Sequence, residues 1–479
     1  MRLARSAVAV AGSLVLAGGV AGSPGGGAAR PVAAPGAVVS IAPDAIHAVT
    51  AAAADPPTTG FCEQHYGIAC YQAGQLQQGF DLPRLYREGI TGHGQTIVIV
   101  DSFGSPTVSR DLGVFDTAEG LPPPPSLKII QPAGKVPAYK ATSDREGWAG
   151  ETDLDVEYAH TIAPGASIVV VETPTSENEG TTGFPQIVTA EKYVISHHLG
   201  GVISQSFSAT EQTFPSRRSL LNLRGAYTEA AAQGVTVLAA SGDSGAADLR
   251  FNEKTYYLSP VTSWPDSDPL VTGVGGIELH LSGDGGDAAT PTVWNDTYNP
   301  AADEFVNGNA GPDPLAGGGG LSVIFGRPSF QDGVRSVVGN SRGVPDISMS
   351  GACNGGVDTY QSFGGQRPGW YPSCGTSEAT PEFAGIVALA DQVAGHPLGL
   401  INSYLYQLSA QRAPGIVDVV TGNNTVSFRQ DGALHTVRGF AARPGYDLTS
   451  GVGTVNAFWF VEELAQAAQA SRDHPAQKA

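Results

Sequence analysis

The chain has 479 residues, of which 41% are hydrophobic, so it is long and apolar enough to bury a large core. Its 45 acidic side chains outnumber 26 basic ones, and the formal net charge of −19 argues against nucleic acid as a partner, because binding phosphate requires a basic surface. The length alone would allow two or three domains, although α/β enzymes of this size often form one.

Residues 1–22 have the pattern of a signal peptide. Arg2 and Arg5 precede the apolar stretch Ala7–Val20, and small residues that suit a signal peptidase follow it. The stretch is too short and too rich in glycine for a membrane span, and no later segment offers one. We therefore expect a secreted, extracellular protein without membrane attachment after signal removal, and an uncleaved anchor is the less favoured alternative. Residues 23–60 have the composition of a low-complexity leader.

Four cysteines fit an exported protein. Cys62 and Cys70 are close in sequence, as are Cys353 and Cys374, so two local disulfides are the favoured pairing among the three that are possible. Zinc is a poor alternative, because neither pair has the tight spacing of zinc ligands and no histidine lies beside them.

Short β-branched runs alternate with helical patterns through the first half of the chain. The predicted strands are Thr96–Asp101, Ser167–Glu172, Gly201–Ser204 and Val235–Ala240, and the predicted helices lie at about Glu151–Ala163, Ile187–His197 and Ala226–Gln233. This alternation is typical of an α/β fold with a mostly parallel sheet and helices on both faces. In such sheets functional groups gather beyond the carboxyl ends of the strands.

The second half of the chain has weaker signals. Residues 280–320 are rich in Gly, Asp and Pro and are predicted to form surface loops. A helix is predicted at Ala457–Ala470, and residues 466–479 are predicted to form a polar C-terminal tail. No internal repeat is evident, so we predict one domain over residues 61–465.

Ser377 is the candidate nucleophile. It follows Gly375 and Thr376 and precedes the apolar helical run Phe383–Ala390, and Pro381 is predicted to lie in the first turn of that helix. A serine at a helix N-terminus lies among unpaired N–H groups that favour developing negative charge. The alternative is an ordinary capping serine, but the complete Gly-Thr-Ser-x-x-x-Pro string favours a nucleophile.

Glu151 and Asp155 are four residues apart, so on a helix they would share one face. Like charges at that spacing destabilise a helix unless the two carboxyls share a proton. Asp153 and Glu157 lie on another face and are expected to contact solvent. The alternative is an acid-rich first turn that complements the helix dipole, which is a common pattern.

Asp243 lies in the segment Ser241–Gly245, directly after the predicted strand Val235–Ala240. A carboxyl group in a glycine-flanked loop at this end of a strand can face a catalytic cleft. The alternative is a turn aspartate that caps its own backbone.

Together these segments resemble the sedolisin family, the serine-carboxyl peptidases, which have a subtilisin-like fold. Three segments in the family's order carry the resemblance, and it extends through Val271–Gly276, Gly317–Gly320 and Val344–Asp346 to cover roughly residues 60–460. The resemblance implies that Ser377 is the nucleophile, Glu151 the general base, Asp155 its supporting acid and Asp243 the oxyanion-hole residue.

These residue types suit acid conditions. A histidine base is mostly protonated well below its pKa of about 6.5, whereas a glutamate with a pKa near ~4.3 can still accept the serine proton. Asp243 must be protonated to donate a hydrogen bond to an oxyanion. We therefore expect activity to peak below neutral pH.

The resemblance also implies one structural calcium ion. Its ligands would be the carboxylates of Asp418 and Asp447 and the backbone carbonyls of Val419, Arg443 and Gly445, all hard oxygen donors. Arg443 stands where the family often has glycine. The alternative is a pair of turn aspartates in a Gly-Pro loop.

Two further residues are assigned structural roles. Asp101 ends a strand, as the catalytic aspartate of subtilisins does, but the histidine motif that should follow it is missing. His160 follows the carboxylate pair and is expected to be a packed or capping histidine.

The sequence therefore predicts a secreted, acid-acting endopeptidase that acts on peptides or proteins as a monomer. A tripeptidyl peptidase of the same mechanism and an inactive secreted binding protein on the same fold are the alternatives. Members of the family usually carry a large folded N-terminal pro-domain, whereas only a low-complexity stretch precedes Phe61, so autoprocessing is not predicted.

Overall fold

The structure, a computed structural model, describes residues 50–51, 55–308 and 311–473. The strands are β1 (Thr50–Ala51), β2 (Cys70–Tyr71), β3 (Thr96–Ser102), β4 (Leu127–Ile130), β5 (Ser167–Thr173), β6 (Val202–Gln205), β7 (Ala209–Thr210), β8 (Thr236–Ala240), β9 (Ser263–Trp264), β10 (Thr272–Leu281), β11 (Asp287–Val293), β12 (Gly320–Gly326), β13 (Ser341–Val344), β14 (Ile347–Ser350), β15 (Gly356–Gln361), β16 (Gly369–Ser373), β17 (Ile416–Val417), β18 (Val426–Gln430), β19 (Ala433–Val437) and β20 (Thr454–Val455).

The helices are α1 (Thr59–Tyr66), α2 (Ala73–Gly79), α3 (Leu82–Arg87), α4 (Val108–Glu119), α5 (Ser143–Ile162), α6 (Phe184–Ser196), α7 (Arg217–Leu221), α8 (Gly225–Gln233), α9 (Pro300–Asn307), α10 (Arg335–Val338), α11 (Thr376–Ala394), α12 (Asn402–Gln411) and α13 (Ala457–Asp473). Short 3₁₀ helices cover Glu211–Thr213 and Ser329–Val334. Within the described residues, none of these helices is long and apolar enough to span a membrane.

An eight-stranded sheet forms the centre of the domain. Its order is β11-β10-β8-β6-β3-β5-β4, and β14 also pairs with β10. Every pairing is parallel except that of β11 with β10. The predicted strands β3, β5, β6 and β8 are all present, with each end within one residue of its prediction. The predicted α/β fold with a mostly parallel sheet is therefore confirmed over the described residues.

Helices cover both faces of the central sheet, and β3 shows how the sequence divides between them. Ile97 and Ile99 join the larger core, which includes α5, α11 and α13, whereas Val98 and Val100 join the core under α6 and α8. Side chains alternate between the two faces of a strand, so a continuous apolar run is needed where both faces are covered. This explains why the predicted strands lack a polar alternation.

The prediction of surface loops over residues 280–320 is wrong in part. The segment contains the end of β10, the strand β11 and the helix α9. Its glycine run is buried, and a Cβ added to Gly318 would overlap the carbonyl oxygen of Ser241. The glycines therefore permit a close approach between two backbone segments, a use of glycine that composition alone does not separate from a loop.

The ends of the chain differ from the predicted boundaries where the structure describes them. Helix α1 begins at Thr59, and β1 pairs with β16, so ordered backbone precedes residue 61. Helix α13 continues to Asp473, well into the predicted polar tail. The predicted signal peptide over residues 1–22 and most of the predicted leader lie outside the described residues.

Both predicted disulfides form, which confirms the favoured pairing. Cys62 and Cys70 join α1 to β2 with their Cα atoms 5.8 Å apart. Cys353 and Cys374 are joined with a Cα separation of 4.9 Å, and Cys374 directly precedes Gly375 and the Ser377 helix. The second disulfide therefore ties the approach to the candidate nucleophile to the loop that follows β14.

Candidate active site

Helix α5 carries Glu151 and Asp155 through the interior of the domain. It packs between β3 and α11, and every residue from Trp148 to Ile162 is buried. Both carboxyl side chains have no solvent exposure. The predicted helix is therefore present, but it begins earlier, at Ser143, where the Thr142 hydroxyl accepts a hydrogen bond from the N–H of Arg145 (3.4 Å).

Ser377 is the second residue of α11 and is 2% exposed. Gly375 precedes the helix with a φ of 115°, and a Cβ at this position would lie 2.7 Å from Oδ2 of Asp243. The glycine is therefore required both by its backbone conformation and by the space that the Asp243 carboxyl occupies. This close approach brings the loop after β8 against the start of the nucleophile helix.

Pro381 is not in the first turn of α11, as the sequence pattern predicts, but inside the helix at its sixth residue. Proline has no N–H, so it cannot donate the helical hydrogen bond to the carbonyl oxygen of Ser377. The hydroxyl of Ser206 instead lies 3.3 Å from that oxygen. The same hydroxyl lies 2.7 Å from Oδ1 of Asp155 and donates a hydrogen bond to it.

Ser206 therefore connects the Asp155 carboxyl to the backbone of the candidate nucleophile, and the sequence analysis missed it. It directly follows β6 and is fully buried. The signal that could have found it is its position, because functional groups gather beyond the carboxyl ends of parallel strands.

Asp101, at the end of β3, completes a buried carboxyl cluster with Glu151 and Asp155. In the described part of the chain, no donor reaches hydrogen-bonding geometry with either oxygen of Asp101, either oxygen of Glu151 or Oδ2 of Asp155. The Thr152 side chain is nevertheless close enough to Asp101 to lower its pKa. Unpartnered buried carboxylates are costly, so groups this close must hold protons or share them. The sequence predicts only a structural role for Asp101, whereas the structure puts it beside the predicted catalytic pair.

The pKa values of this cluster follow from burial and mutual repulsion. Burial raises the pKa of Glu151 well above 4.5, and the charges of Asp155 and Asp101 raise it further. Burial likewise raises the pKa of Asp155 well above 3.8, and it raises that of Asp101 to about 7. The cluster therefore titrates as a set rather than as three independent acids.

Ser377 and Glu151 are neighbours without a fully formed hydrogen bond. The Ser377 hydroxyl is close enough to lower the pKa of Glu151, yet it does not reach hydrogen-bonding geometry with either Glu151 oxygen. The Ser377 hydroxyl and the Glu151 carboxyl must therefore come closer before a proton can pass between them. Such loose contacts are common in active sites that lack a substrate.

Asp243 contacts the residue that directly precedes Ser377. Its Oδ1 accepts hydrogen bonds from the backbone N–H of Thr376 (2.7 Å) and from the Thr376 hydroxyl (2.8 Å). Burial raises the pKa of Asp243 to about 6, although these two bonds favour the charged form. Because both bonds go to Oδ1, the acid proton belongs on Oδ2, which lies beside Gly375.

The opposite face of α5 is also buried, so the expectation that Asp153 and Glu157 contact solvent is wrong. Helix α4 and strand β15 pack over that face, and both side chains have no exposure. Glu157 accepts a hydrogen bond from the N–H of Tyr360 (3.0 Å), whereas no donor in the described residues reaches Asp153. His160 is packed, as predicted, with Nε2 2.8 Å from the carbonyl oxygen of Pro122.

The five predicted calcium ligands come together in one loop region. Asp418 accepts a hydrogen bond from the N–H of Gly445 (2.8 Å), and Asp447 accepts one from the N–H of Arg443 (2.9 Å). The Ser450 hydroxyl lies 3.5 Å from the carbonyl oxygen of Val419. Within the described chain, neither Asp418 nor Asp447 forms an ion pair, and no hydrogen bond reaches the carbonyl oxygens of Arg443 and Gly445. Oδ1 of Asp447 accepts hydrogen bonds from the N–H groups of Thr449 and Ser450, as a turn aspartate does, and the remaining oxygens fit a hard cation.

Comparisons with known proteins agree with this fold and these segments. The family model described as the subtilase family matches residues 140–412. Kumamolisin of Bacillus sp. (strain MN-32) is 30% identical over 386 residues, which are 79% of this chain and 61% of kumamolisin. Sedolisin of Pseudomonas sp. (strain 101) is 28% identical over 367 residues, 76% of this chain and 57% of sedolisin.

A further relative, tripeptidyl-peptidase 1 of Homo sapiens, is 29% identical over 327 residues, 65% of this chain and 51% of that protein. The chain therefore spans about half to three fifths of the length of these curated relatives. The solved structure of Pseudomonas sedolisin, a serine-carboxyl proteinase complexed with two molecules of pseudo-iodotyrostatin, matches 85% of this chain and 99% of its own with a TM-score of 0.64. At 24% sequence identity this likeness supports the fold.

The family model covers more than half of the chain and includes all three predicted catalytic segments, and the sedolisin-type relatives match 79% and 76% of the chain. The chain therefore belongs to the subtilase family and, within it, to the sedolisins.

Proposed function

We propose that this protein is a serine-carboxyl peptidase that hydrolyses peptide bonds under acid conditions through a Ser377 acyl-enzyme. One observation carries the proposal: Ser377 lies beside a buried carboxyl cluster, and the Asp243 carboxyl accepts two hydrogen bonds from the adjacent Thr376. Among the described residues, no histidine forms a hydrogen bond or an ion pair with these groups. The names of the relatives, which include peptidases of this class, support the same activity.

The first step forms the acyl-enzyme. The Ser377 oxygen attacks the carbonyl carbon of the scissile peptide bond and its proton passes to Glu151. The protonated Asp243 donates a hydrogen bond from Oδ2 to the oxyanion of the tetrahedral intermediate. When the intermediate collapses, the C–N bond breaks and Glu151 returns the proton to the leaving amine.

Hydrolysis of the acyl-enzyme repeats these roles with water. Glu151 takes a proton from the attacking water, a second tetrahedral intermediate forms, and its collapse gives the proton back to the Ser377 oxygen. Asp155 and Asp101 surround Glu151 and hold the charge and proton of the cluster, while Ser206 fixes Asp155. These neighbours orient the base rather than react themselves.

Two requirements set the pH range. The cluster must have lost a proton for Glu151 to act as a base, whereas Asp243 must keep its proton to act as a donor. Since the pKa of Asp243 is raised to about 6, the donor is present below that pH and is lost as the pH rises through it. Activity should therefore be confined to acid conditions.

The decisive experiment is hydrolysis of a denatured protein between about pH 3 and 8 by the wild type, Ser377→Ala and Glu151→Gln. We expect an acid optimum in the wild type and almost no turnover in either variant, provided that both variants unfold at temperatures similar to the wild type. An alkaline optimum together with a fully active Glu151→Gln variant would refute the mechanism. Folded wild type without any hydrolysis would favour an inactive binding protein.

We favour an endopeptidase, with a tripeptidyl peptidase as the second candidate because one relative bears that name. Product analysis separates the two. An endopeptidase cleaves a peptide whose N-terminus is blocked by acetylation, whereas a tripeptidyl peptidase releases successive tripeptides and needs the free amine. Equal cleavage of the blocked and free peptides would support the endopeptidase.

We also propose one structural calcium ion. Its ligands would be Asp418, Val419, Arg443, Gly445 and Asp447. Calcium would tie the loop before α13 to the segment after β17 through oxygen ligands.

We further propose that the protein is secreted after removal of residues 1–22. Mass spectrometry of the protein in the culture medium tests export, because a mature N-terminus near residue 23 is expected there. Intact residues 1–22 on cell-associated protein would contradict it.

A further inference from the structure

A second pair of carboxyls lies on the nucleophile helix itself. Glu378 and Glu382 are four residues apart on α11, so they share one helix face, and neither has any solvent exposure. Glu378 occupies a variable position of the Gly-Thr-Ser-x-x-x-Pro pattern and Glu382 follows the pattern, and the proposed mechanism gives neither residue a role. Glu378 directly follows Ser377.

The surroundings of this pair supply few donors and no cation. Within the described structure, no donor reaches hydrogen-bonding geometry with either oxygen of Glu378 or with Oε1 of Glu382, although the Ser350 side chain is close enough to lower the pKa of Glu378. Oε2 of Glu382 accepts one bond from the N–H of Ser350 (3.2 Å). The titratable groups facing Glu378 from other elements are Asp243 after β8, Tyr71 on β2 and Tyr158 on α5. None of these groups is basic, so neither carboxylate has a cationic partner.

Such a pair is stable only if it keeps a proton. Burial raises the pKa of both Glu378 and Glu382 well above 4.5. The Ser350 side chain and then the Glu382 side chain lower the pKa of Glu378, whereas the charge of Glu378 raises the pKa of Glu382 further. The arrangement is therefore that of a carboxylic acid on Glu382 donating to the carboxylate of Glu378.

The bridge spans the weakest turn of α11. Pro381 lies between the two glutamates and removes the helical hydrogen bond that would end on the carbonyl oxygen of Ser377. Glu382 is also tied to the end of β14 through the N–H of Ser350. The next residue of that segment, Gly351, accepts a hydrogen bond from the N–H of Gly375 (2.8 Å). The end of β14 thus contacts the chain on both sides of Ser377.

We propose that Glu378 and Glu382 are positioning residues whose shared proton closes a bridge that holds the Ser377 turn against the end of β14. The bridge opens when the pair loses this proton, because two adjacent buried carboxylates repel each other. The effect on reaction rate rests on the proposed acyl transfer to Ser377. The existence of the bridge does not, since it also stabilises the fold.

The test compares three variants at an acid pH and at a temperature below the unfolding of all of them. Glu378→Ala removes the bridge, whereas Glu378→Gln keeps it, because the amide N–H₂ donates to Glu382. Asp391→Ala is the matched control: Asp391 is a buried carboxyl on the same helix, but its partner is the N–H of Leu398 (2.9 Å) at the far end. We expect kcat to fall about tenfold in Glu378→Ala with little change in KM, and to change less than about threefold in Glu378→Gln and Asp391→Ala.

Thermal unfolding measured from acid to alkaline pH gives a second readout that needs no activity. In Glu378→Gln the bond from the introduced amide to Glu382 does not depend on a shared proton, so the unfolding temperature of this variant should fall less than that of the wild type as the pH rises above 4.5. Wild-type kcat in Glu378→Ala, a Glu378→Gln variant as impaired as Glu378→Ala, or identical pH dependence of unfolding would each overturn the proposal. A folded wild type that cleaves no peptide would refute the peptidase assignment alone, and the unfolding comparison would still decide the bridge.

Discussion

Replacing Asp243 with asparagine should keep a hydrogen-bond donor for the oxyanion while removing the carboxyl group that titrates. In the structure, Oδ1 of Asp243 accepts both hydrogen bonds from Thr376, which leaves Oδ2 as the protonated donor beside Gly375. An asparagine fits the same pattern, with its carbonyl oxygen accepting from Thr376 and its N–H₂ group at the position of Oδ2. The amide donates at every pH, whereas the acid donates only while it is protonated.

The size of the effect follows from the pKa of Asp243, which is about 6. One pH unit above this value only about a tenth of the wild-type molecules keep the donor, and two units above it about a hundredth. If Asp243 sets the upper limit of activity, kcat/KM of the wild type should fall along this curve. The ratio of Asp243→Asn to wild type should therefore rise about fivefold between pH 6 and 7, and about tenfold more between pH 7 and 8.

The assay is kcat/KM for a short chromogenic peptide from pH 3 to 8, with each variant normalised to its own value at pH 4. Asp243→Ala provides the reference for complete loss of the donor, which should cost about 10²–10³ in kcat. Asp248→Asn is the matched control, because Asp248 is a neighbouring buried carboxyl that accepts a hydrogen bond from Ser263. A normalised Asp243→Asn profile that superimposes on that of the wild type would refute the assignment of Asp243 as the titrating donor.

Three further predictions concern groups around the site and the fold. Ser206→Ala should lower kcat about tenfold with a small change in KM, because Asp155 loses its hydroxyl donor and the reacting groups lose alignment. Steady-state kinetics tests this, with Ser206→Thr as the conservative control. An unchanged kcat in Ser206→Ala would contradict the prediction. The raised pKa of Glu157 means that its contribution to folding stability is present below its ordinary value of 4.5 and is lost as the pH rises toward the raised pKa, by about 1.4 kcal/mol per pH unit. Glu157→Gln should therefore reduce the fall in unfolding temperature between pH 4.5 and 7, and an unaltered slope would count against the argument. Chelation of calcium should lower the unfolding temperature of the wild type and leave that of Asp447→Asn unchanged; equal responses in calorimetry would exclude Asp447 as a ligand.

The sequence was sufficient for those parts of the site that depend on local pattern. The central strands follow from short β-branched runs, and the Glu151–Asp155 spacing places two carboxyls on one face of a helix wherever that helix packs. The Gly-Thr-Ser string likewise implies a serine at a helix start, although it misplaced Pro381, because spacing cannot show that α11 begins directly after Gly375.

The parts that failed depend on contacts between distant segments. Asp101 and Ser206 approach Asp155 only because β3, β6 and α5 meet in the fold, and nothing in their local sequence distinguishes them from ordinary strand-end residues. Similarly, a helix with an acidic residue at every second position resembles a surface helix. Only the packing of α4 and β15 shows that Asp153 and Glu157 are covered.

The burial of every acidic side chain between residues 151 and 157 of α5 restricts how this protein can be re-engineered. Installing an imidazole at position 151 would provide a base suited to neutral solution, but it would leave the scaffold around it unchanged. Asp153 and Glu157 would still favour their uncharged forms, so the helix supporting the new base would lose stability under the conditions where that base operates. Adapting the protein to neutral solution would require replacing the hidden acids first and the catalytic group last.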